Sequence, residues 1–271
     1  MAAGLALAGC SGVLSSGTSE PEDNASAASP ANIASLSDVV ARNPNDAQAY
    51  NMRGSAYGLA GQYKEALADF NKAISFDAKY AQAYANRGLV YRATKRFDQA
   101  LADFNKALSI DASYATAYLG RGIVHRQQGQ LTAALNDFNK AIAIRPDNAQ
   151  AYYNRGLLYQ GQSQHQFAID DFSTAITLAP QQSEHLIARG LSYLAVNDTK
   201  SAASDLDEAC IAAQQNVQCW LSRALVYERL GDTEKAAGSY AHALSLDKSN
   251  ATARDGFTRV GGTFGRQYQA Y

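Results

Sequence analysis

One pattern of small and aromatic side chains recurs every 34 residues through most of this 271-residue chain. In the stretch 81–114, numbered here as slots 1 to 34, an aromatic stands at slot 4, glycine at slot 8, alanine at slots 20 and 27, and phenylalanine at slot 24. The pattern runs through six copies from 47 to 250 without an insertion. Proline falls on slot 32 at positions 44, 146 and 180, where a helix is expected to stop. A fixed period of this length predicts a repeat architecture.

Each copy contains two apolar segments of helical period, about a dozen residues long and joined by a short turn. Each copy is therefore predicted to form a helical hairpin with one face that it cannot bury alone. Glycine and alanine at slots 8, 20 and 27 allow helix backbones to approach closely, and the aromatic residues fill the remaining volume. The fold class predicted from the residues is all-α, with neighbouring hairpins stacked on one another.

These spacings resemble the tetratricopeptide repeat (TPR) family. The resemblance implies an α-solenoid of six 34-residue helical hairpins in a right-handed superhelix. Within that frame, 32–46 is predicted to be an N-terminal capping helix, since Leu36, Val39 and Pro44 fall on second-helix slots. The six repeats span 47–250, and 251–260 is predicted to be a C-terminal capping helix with a polar outer face.

The first ten residues, MAAGLALAGC, resemble the signal segment and lipobox of bacterial lipoproteins. On that resemblance Cys10 carries lipid, and Ser11 directs the protein to the periplasmic face of the outer membrane. Residues 11–31 are rich in Ser, Ala, Gly and acidic side chains, which predicts a flexible tether. The alternative is a short terminus with an incidental cysteine on a cytoplasmic protein. The tail 261–271 is predicted to be mobile.

Charge and hydropathy exclude two classes of partner. The formal net charge is −1 and the pI about 6.4, with basic residues spread among acidic ones, so nucleic acid is an unexpected partner. No apolar run approaches the roughly 20 residues that a membrane-spanning helix needs. Membrane contact is therefore expected only through lipid on Cys10.

Arginine occupies slot 7 of all six repeats, and aspartate occupies slot 23 of the first five. Matched pairs at constant separation predict bidentate ion pairs between the two helices, either within one repeat or to its neighbour. We interpret these pairs as structural. The last repeat has Ser239 in place of the aspartate.

The family resemblance implies a ligand groove lined by the first helices, chiefly at slots 2, 5, 9, 12 and 13. Slots 5 and 9 are largely apolar, slot 2 is mostly glutamine, and slot 12 carries two arginines. We expect an extended or helical protein segment with apolar anchors and an acidic residue near the arginines. The alternative for slots 5 and 9 is packing between repeats. The candidate groove residues are Leu89, Arg92, Leu119, Ile123, Arg126, Tyr153, Leu157, Ile187, Leu191, Leu221 and Leu225.

The residues needed for a carboxylate clamp and for a catalytic or metal site are absent from the sequence. The carboxylate clamp of chaperone-binding TPRs requires lysine at slots 5 and 2, and no copy has one. The four histidines are dispersed at 125, 165, 185 and 242, and no phosphate loop, HExxH or zinc-type cysteine motif occurs. We therefore predict no catalytic activity, no cofactor and no metal.

Cys210 and Cys219 lie on either side of the turn between the fifth and sixth repeats. In an antiparallel pair of helices such positions come within reach of a disulfide, which an exported protein would form. The alternative is two buried thiols that act as small apolar residues.

The predicted function is a protein–protein interaction scaffold: a lipid-anchored adaptor in the periplasm, similar to TPR lipoproteins that present peptidoglycan enzymes. The alternative, drawn from a second group of such lipoproteins, is assembly of a pilus or secretion-system secretin. A homodimer formed through the second helices is left open.

Overall fold

The computed structural model describes residues 25–266 and 268, and all regular structure in these residues is helical, including 25–27 within the predicted tether. The result confirms the all-α prediction. Helices α1 to α14 span Pro30–Arg42, Ala47–Leu59, Tyr63–Phe76, Ala81–Ala93, Phe97–Ile110, Ala115–Gln127, Leu131–Ile144, Ala149–Gly161, His165–Leu178, Ser183–Ala195, Thr199–Ala212, Val217–Leu230, Thr233–Leu246 and Ala251–Arg259. None of these helices is both long enough and apolar enough to cross a bilayer.

Within each repeat the turn between the two helices depends on one residue with positive φ. That residue stands at slot 15 in every copy, as Gly61, Lys95, Gly129, Ser163, Asn197 and Gly231, with φ between 58° and 78°. The left-handed conformation ends the first helix and reverses the chain within three residues. Three copies therefore hold a side chain in a conformation that favours glycine.

The core of each hairpin is a contact between slots 8 and 24. Phe70, Phe104, Phe138 and Phe172 are fully buried. A Cβ added to Gly88 would lie 2.9 Å from Cε1 of Phe104, so the ring packs directly on the glycine backbone. This contact gives the physical reason for glycine at slot 8.

The chain divides into two compact units, residues 1–151 and 152–271. In the described part of the first unit, successive first helices (α2, α4, α6) touch one another, whereas successive second helices (α3, α5, α7) do not. In the second unit α10 touches α12, and α12 touches α14. We call the exposed side of α2, α4 and α6 the inner face of the first unit. The corresponding side of residues 152–161, α10 and α12 is the inner face of the second.

Helix α1 caps the first repeat by packing on α2. It begins at Pro30, two residues before the predicted start, because Pro30 occupies its first turn and the Ser29 side chain accepts a hydrogen bond from the Asn32 backbone N–H. Cys10 and the first part of the predicted tether, 11–24, lie outside the described residues.

Helix α14 covers the last repeat, and the chain then folds back over it. The ring of Phe264 lies 4.9 Å from that of Phe257, and the ring of Tyr268 lies 5.6 Å from it, centroid to centroid. Arg266 pairs with Glu234. The aromatic rings of the described part of the tail thus make apolar contacts at the exposed end of the last repeat, and the mobility of the tail stays a prediction.

Candidate protein-binding faces

The slot 7 arginines of the first five repeats form ion pairs within their own repeats. Arg121 donates to both carboxylate oxygens of Asp137, at 2.9 and 2.7 Å, and the same bidentate pair occurs in each of the first five repeats. The hydrogen bonds with Asp137 raise the pKa of Arg121. The aspartates are buried, with 5 or 6% of their surface exposed. The guanidinium groups of these arginines are thus already bound to the aspartates, which makes them unsuited to ligand binding.

The same arginines also reach the preceding repeat. The third guanidinium nitrogen donates to slot 25, as from Arg87 to Asn71 and from Arg189 to Ser173. In the last repeat the order is reversed: Arg223 pairs with Asp207 of the preceding repeat and donates to Ser239 of its own. The sequence did not lead us to predict slot 25 as a partner of these arginines, although it carries Asn, Ser and Asp at that slot.

A polar network covers part of the inner face of the first unit. The Asn86 side-chain amide donates to Asn51 Oδ1 at 3.0 Å and to Ser55 Oγ at 3.2 Å. Asn51 in turn donates to the hydroxyl of Tyr80, which donates to Gln82. Because Asn51 is 2% exposed and these amides are already hydrogen-bonded to one another, the network links adjacent first helices.

The inner face of the first unit carries positive side chains but no negative ones on its helices. Arg92 and Arg126 are half-exposed, and α2, α4 and α6 contain no Asp or Glu. Ile123 is also half-exposed. Leu89 and Leu119, by contrast, are 5% and 7% exposed, so packing between repeats takes most of their surface.

The inner face of the second unit is mainly apolar. Five of the six predicted groove residues there are half-exposed and rest on the hydrophobic core: Tyr153, Leu157, Leu191, Leu221 and Leu225. Ile187 is the exception, at 5% exposed. Tyr153 also packs on the rings of Phe172 and His185. The leucines are therefore the better candidates for contact with a ligand.

The histidines occupy separate surroundings. His185 is 3% exposed, and its burial lowers the pKa of its imidazole. His125 approaches Asp137 and Gln130, and His242 stacks on Trp220 with ring centroids 4.1 Å apart. His165 is half-buried at the start of α9. Among the described residues no group of His, Cys, Asp and Glu is placed to hold a metal ion.

Cys210 and Cys219 are joined as a disulfide, with Cα atoms 5.6 Å apart and both residues fully buried. The bond spans the turn between α11 and α12. Trp220 supports the same turn, because its indole N–H donates to the Gln214 carbonyl at 2.9 Å.

Family models cover most of the chain. Models described as TPR repeat match 54–94, 88–129 and 122–163, and models described as tetratricopeptide repeat match 36–68, 149–182 and 187–251. No curated protein sequence matches the chain significantly.

Solved structures share the fold at low identity. Cut9–Hcn1, an APC/C hetero-tetramer, matches with TM-score 0.77 and 19% identity over 88% of this chain and 47% of that one. This chain thus spans about half the length of that relative. The pilF protein of Pseudomonas aeruginosa matches with TM-score 0.72 and 18% identity, over 81% of this chain and 99% of that one. PilW, a widely conserved type IV pilus biogenesis factor, matches with TM-score 0.70 and 18% identity over 77% and 97%.

Proposed function

Because the chain belongs to the tetratricopeptide repeat family, we propose that it is a non-catalytic scaffold that holds protein segments on its inner faces. TPR proteins bind peptides or proteins. The observation that carries the proposal is the set of half-exposed leucines on the inner face of the second unit. Leucines aligned on adjacent first helices offer pockets for apolar anchors of a bound segment.

The physiological setting proposed is the periplasmic face of the outer membrane, with lipid on Cys10 as the anchor. The support is the lipobox-like Leu7-Ala8-Gly9-Cys10 and the polar segment that follows it. In this setting the scaffold is an adaptor that brings envelope enzymes, such as peptidoglycan hydrolases, together.

A second candidate function is assembly of a pilus or secretion-system secretin. The likeness to a type IV pilus biogenesis factor favours it. At this identity the likeness supports only a shared fold. The identity of the bound partner therefore distinguishes the two functions. Copurification with secretin subunits would favour assembly, and copurification with cell-wall enzymes would favour the adaptor.

The binding face is tested by substitution. Leu157, Leu191 and Leu225 are changed together to serine, and binding of copurified partners is measured. We expect at least tenfold weaker binding, since about 1.4 kcal/mol corresponds to a factor of ten and each lost anchor contributes on this scale.

The matched control changes apolar residues of the second helices. Phe167 and Ile211 are 60% and 56% exposed, and their replacement by serine should leave binding intact. Equal loss of binding in both variants would contradict the assignment of the inner face. Loss of helicity in the first variant would instead show that the leucines belong to the core.

The anchor is tested in cells by crosslinking and capture from the outer-membrane fraction, with Cys10→Ser as the control. The proposal predicts that defined envelope proteins are captured when Cys10 is present, and that the Cys10→Ser variant is absent from that fraction and captures none of them. A protein that stays soluble whichever residue occupies position 10 would refute the anchor and leave the scaffold to be sought in the cytoplasm.

A further inference from the structure

Half-exposed leucines stand at slot 9 of three consecutive first helices on the inner face of the second unit. They are Leu157, Leu191 and Leu225. Gln160 donates to the Ala188 carbonyl and to Ser192 Oγ, both at 2.9 Å, which joins residues 152–161 to α10. Arg229 donates to the Leu194 carbonyl, which joins α12 to α10. Because neighbouring packed helices lie about 10 Å apart, the leucines form a row with steps of about that length.

Only some backbone conformations present side chains on one side at this interval. In a β-strand, residues two apart share a side at about 7 Å, and residues three apart, at about 10 Å, face opposite sides. In a polyproline II segment, residues three apart repeat on one side at about 9 Å. In an α-helix, residues seven apart repeat on one side at about 10.5 Å. The row of leucines thus excludes a strand and fits the two helical conformations.

Hydrogen bonding separates these two conformations. A polyproline II backbone makes no internal hydrogen bonds, so its N–H and C=O groups need water or partner groups. Slots 5 and 9 of the inner face carry leucine, isoleucine and Tyr153, and the polar side chains of slot 2 stand two helical turns, about 10 Å, from slot 9.

The polar side chains at slot 12 are already engaged. Gln160 makes the two bonds described above, and Glu228 accepts from Arg259 and Tyr240. A polyproline II segment pressed onto the leucines would therefore lose water from backbone groups that find no replacement, which costs free energy. An α-helix brings its backbone hydrogen bonds with it, so it can cover the leucines without this cost.

The row of leucines ends at a cation. Arg259 stands at slot 9 of α14, which touches α12, and its side chain is 57% exposed. Its bonds to Glu228 use Nε and Nη2, so Nη1 still offers donors to an acidic group. The exposed Arg229 adds positive charge, whereas Arg254 and Asp255 of α14 offset each other. Since cations favour the C-terminal end of a helix, the charge favours a bound helix whose C-terminal end lies over α14.

We infer that the inner face of the second unit binds an amphipathic α-helix of a partner protein. The helix is held by three apolar residues seven positions apart and by an acidic residue seven positions after the last of them. The two steps between the first and third anchors, about 20 Å in all, correspond to about 14 residues of helix. The inference rests on the proposed function, since it states which protein segment one of the proposed faces binds.

The first test compares synthetic peptides on the full chain by fluorescence anisotropy. The matching probe is built from alanine and glutamine, which favour helix, with three leucines seven residues apart and a glutamate seven residues after the last. A control of the same composition has its leucines five residues apart, so that they lie on different sides of the helix. A proline-rich control carries leucine at every third residue.

We expect the matching probe to bind at least tenfold more tightly than either control, because only its leucines reach all three positions of the row without stranding backbone groups. Absence of binding, equal affinity for the two leucine spacings, or equal or tighter binding of the proline-rich peptide would overturn the inference.

The second test locates the matching probe on the face. The Leu157→Ser, Leu191→Ser, Leu225→Ser variant should bind it at least tenfold more weakly. Arg259→Gln should weaken binding of this probe about threefold and leave unchanged that of a probe ending in glutamine, since only the glutamate pairs with the guanidinium. An unaffected leucine variant, or equal effects of Arg259→Gln on the two probes, would contradict the placement of the helix.

Binding of copurified partners to the same leucine variant is measured in parallel. If the partners depend on the leucines while the matching probe does not bind, the inference is wrong and the proposed function stands. If partner binding also ignores the leucines, the proposed function fails as well.

Discussion

His185 occupies slot 3, which holds alanine in the first four repeats. The larger ring fits because it stacks on Tyr153, with ring centroids 4.7 Å apart. Burial lowers the pKa of His185 below its ordinary value of 6.5, so the folded protein holds the neutral imidazole. Here a local substitution in the repeat pattern creates a titrating group inside the core.

The stability of the second unit should consequently fall in mild acid. A lowered histidine pKa stabilises the folded state fully above the unfolded pKa, about 6.5. As the pH falls below that value, the unfolded chain takes up the proton first and the contribution is lost. Denaturation midpoints measured between pH 8 and pH 5 should show this slope, and His185→Gln should remove it. A variant that keeps the slope of the parent protein would exclude His185 as its source.

The buried slot 23 carboxylates predict a large effect of one substitution. Asp103→Asn leaves Arg87 without its bidentate charged partner, and breaking a buried pair in this way costs about 3 kcal/mol. Asp147→Asn is the matched control, since the Asp147 side chain is 66% exposed and its pair with Arg145 is open to solvent. Urea denaturation should separate the two variants, and similar midpoints would contradict a structural role for the pair.

At the scale of single helices, the slot 8 glycines determine how closely the two helices of a hairpin approach. A Cβ added to Gly122 would lie 2.8 Å from Cε1 of Phe138. Gly122→Ala should therefore destabilise the protein by about 1–3 kcal/mol through overpacking. Gly161→Ala, at the end of α8 with nothing within 4 Å of the added carbon, should be neutral or stabilising. Thermal unfolding of the two variants tests the contact, and a harmless Gly122→Ala would contradict it.

The turn between α11 and α12 depends on the Cys210–Cys219 disulfide. The disulfide closes a short loop and reduces the conformational entropy of the unfolded chain, which raises the free energy of unfolding by about 2–3 kcal/mol. Reduction should therefore lower the melting temperature by several degrees. The Cys210→Ser, Cys219→Ser variant should melt like the reduced protein and ignore reductant. Two free thiols in the denatured protein before reduction would show instead that the cysteines are unpaired.

For the whole molecule, repetition means that stability is built from contacts between neighbouring hairpins. The last hairpin depends on its cap: Gly256 packs on the Tyr240 ring, and Arg259 pairs with Glu228, whose pKa this hydrogen bond lowers. Deletion of 251–271 should therefore expose α12 and α13 and reduce their amide protection, while α2 to α6 keep theirs. Hydrogen exchange measures the amide protection of both groups of helices, and deletion of 269–271 alone is the control. Uniform loss of protection would mean that the chain unfolds as one unit.

The period of 34 residues determined the architecture before any coordinates, because small and aromatic residues at fixed slots admit only stacked helical hairpins. It did not identify the partners of the slot 7 arginines. Arg87 has one candidate 16 residues ahead, Asp103, and another 16 residues behind, Asn71. Equal sequence separations cannot rank the two, and the structure shows that the arginine binds both.

For a similar reason, only the tertiary structure shows which residues of the inner faces are exposed. Leu89 and Leu157 share slot 9, yet the first is 5% exposed and the second is half-exposed. Their exposure depends on which side chains the neighbouring hairpin brings against them. The sequence determined the positions that face inward, and the packing of adjacent repeats decided which of these retain surface for a partner.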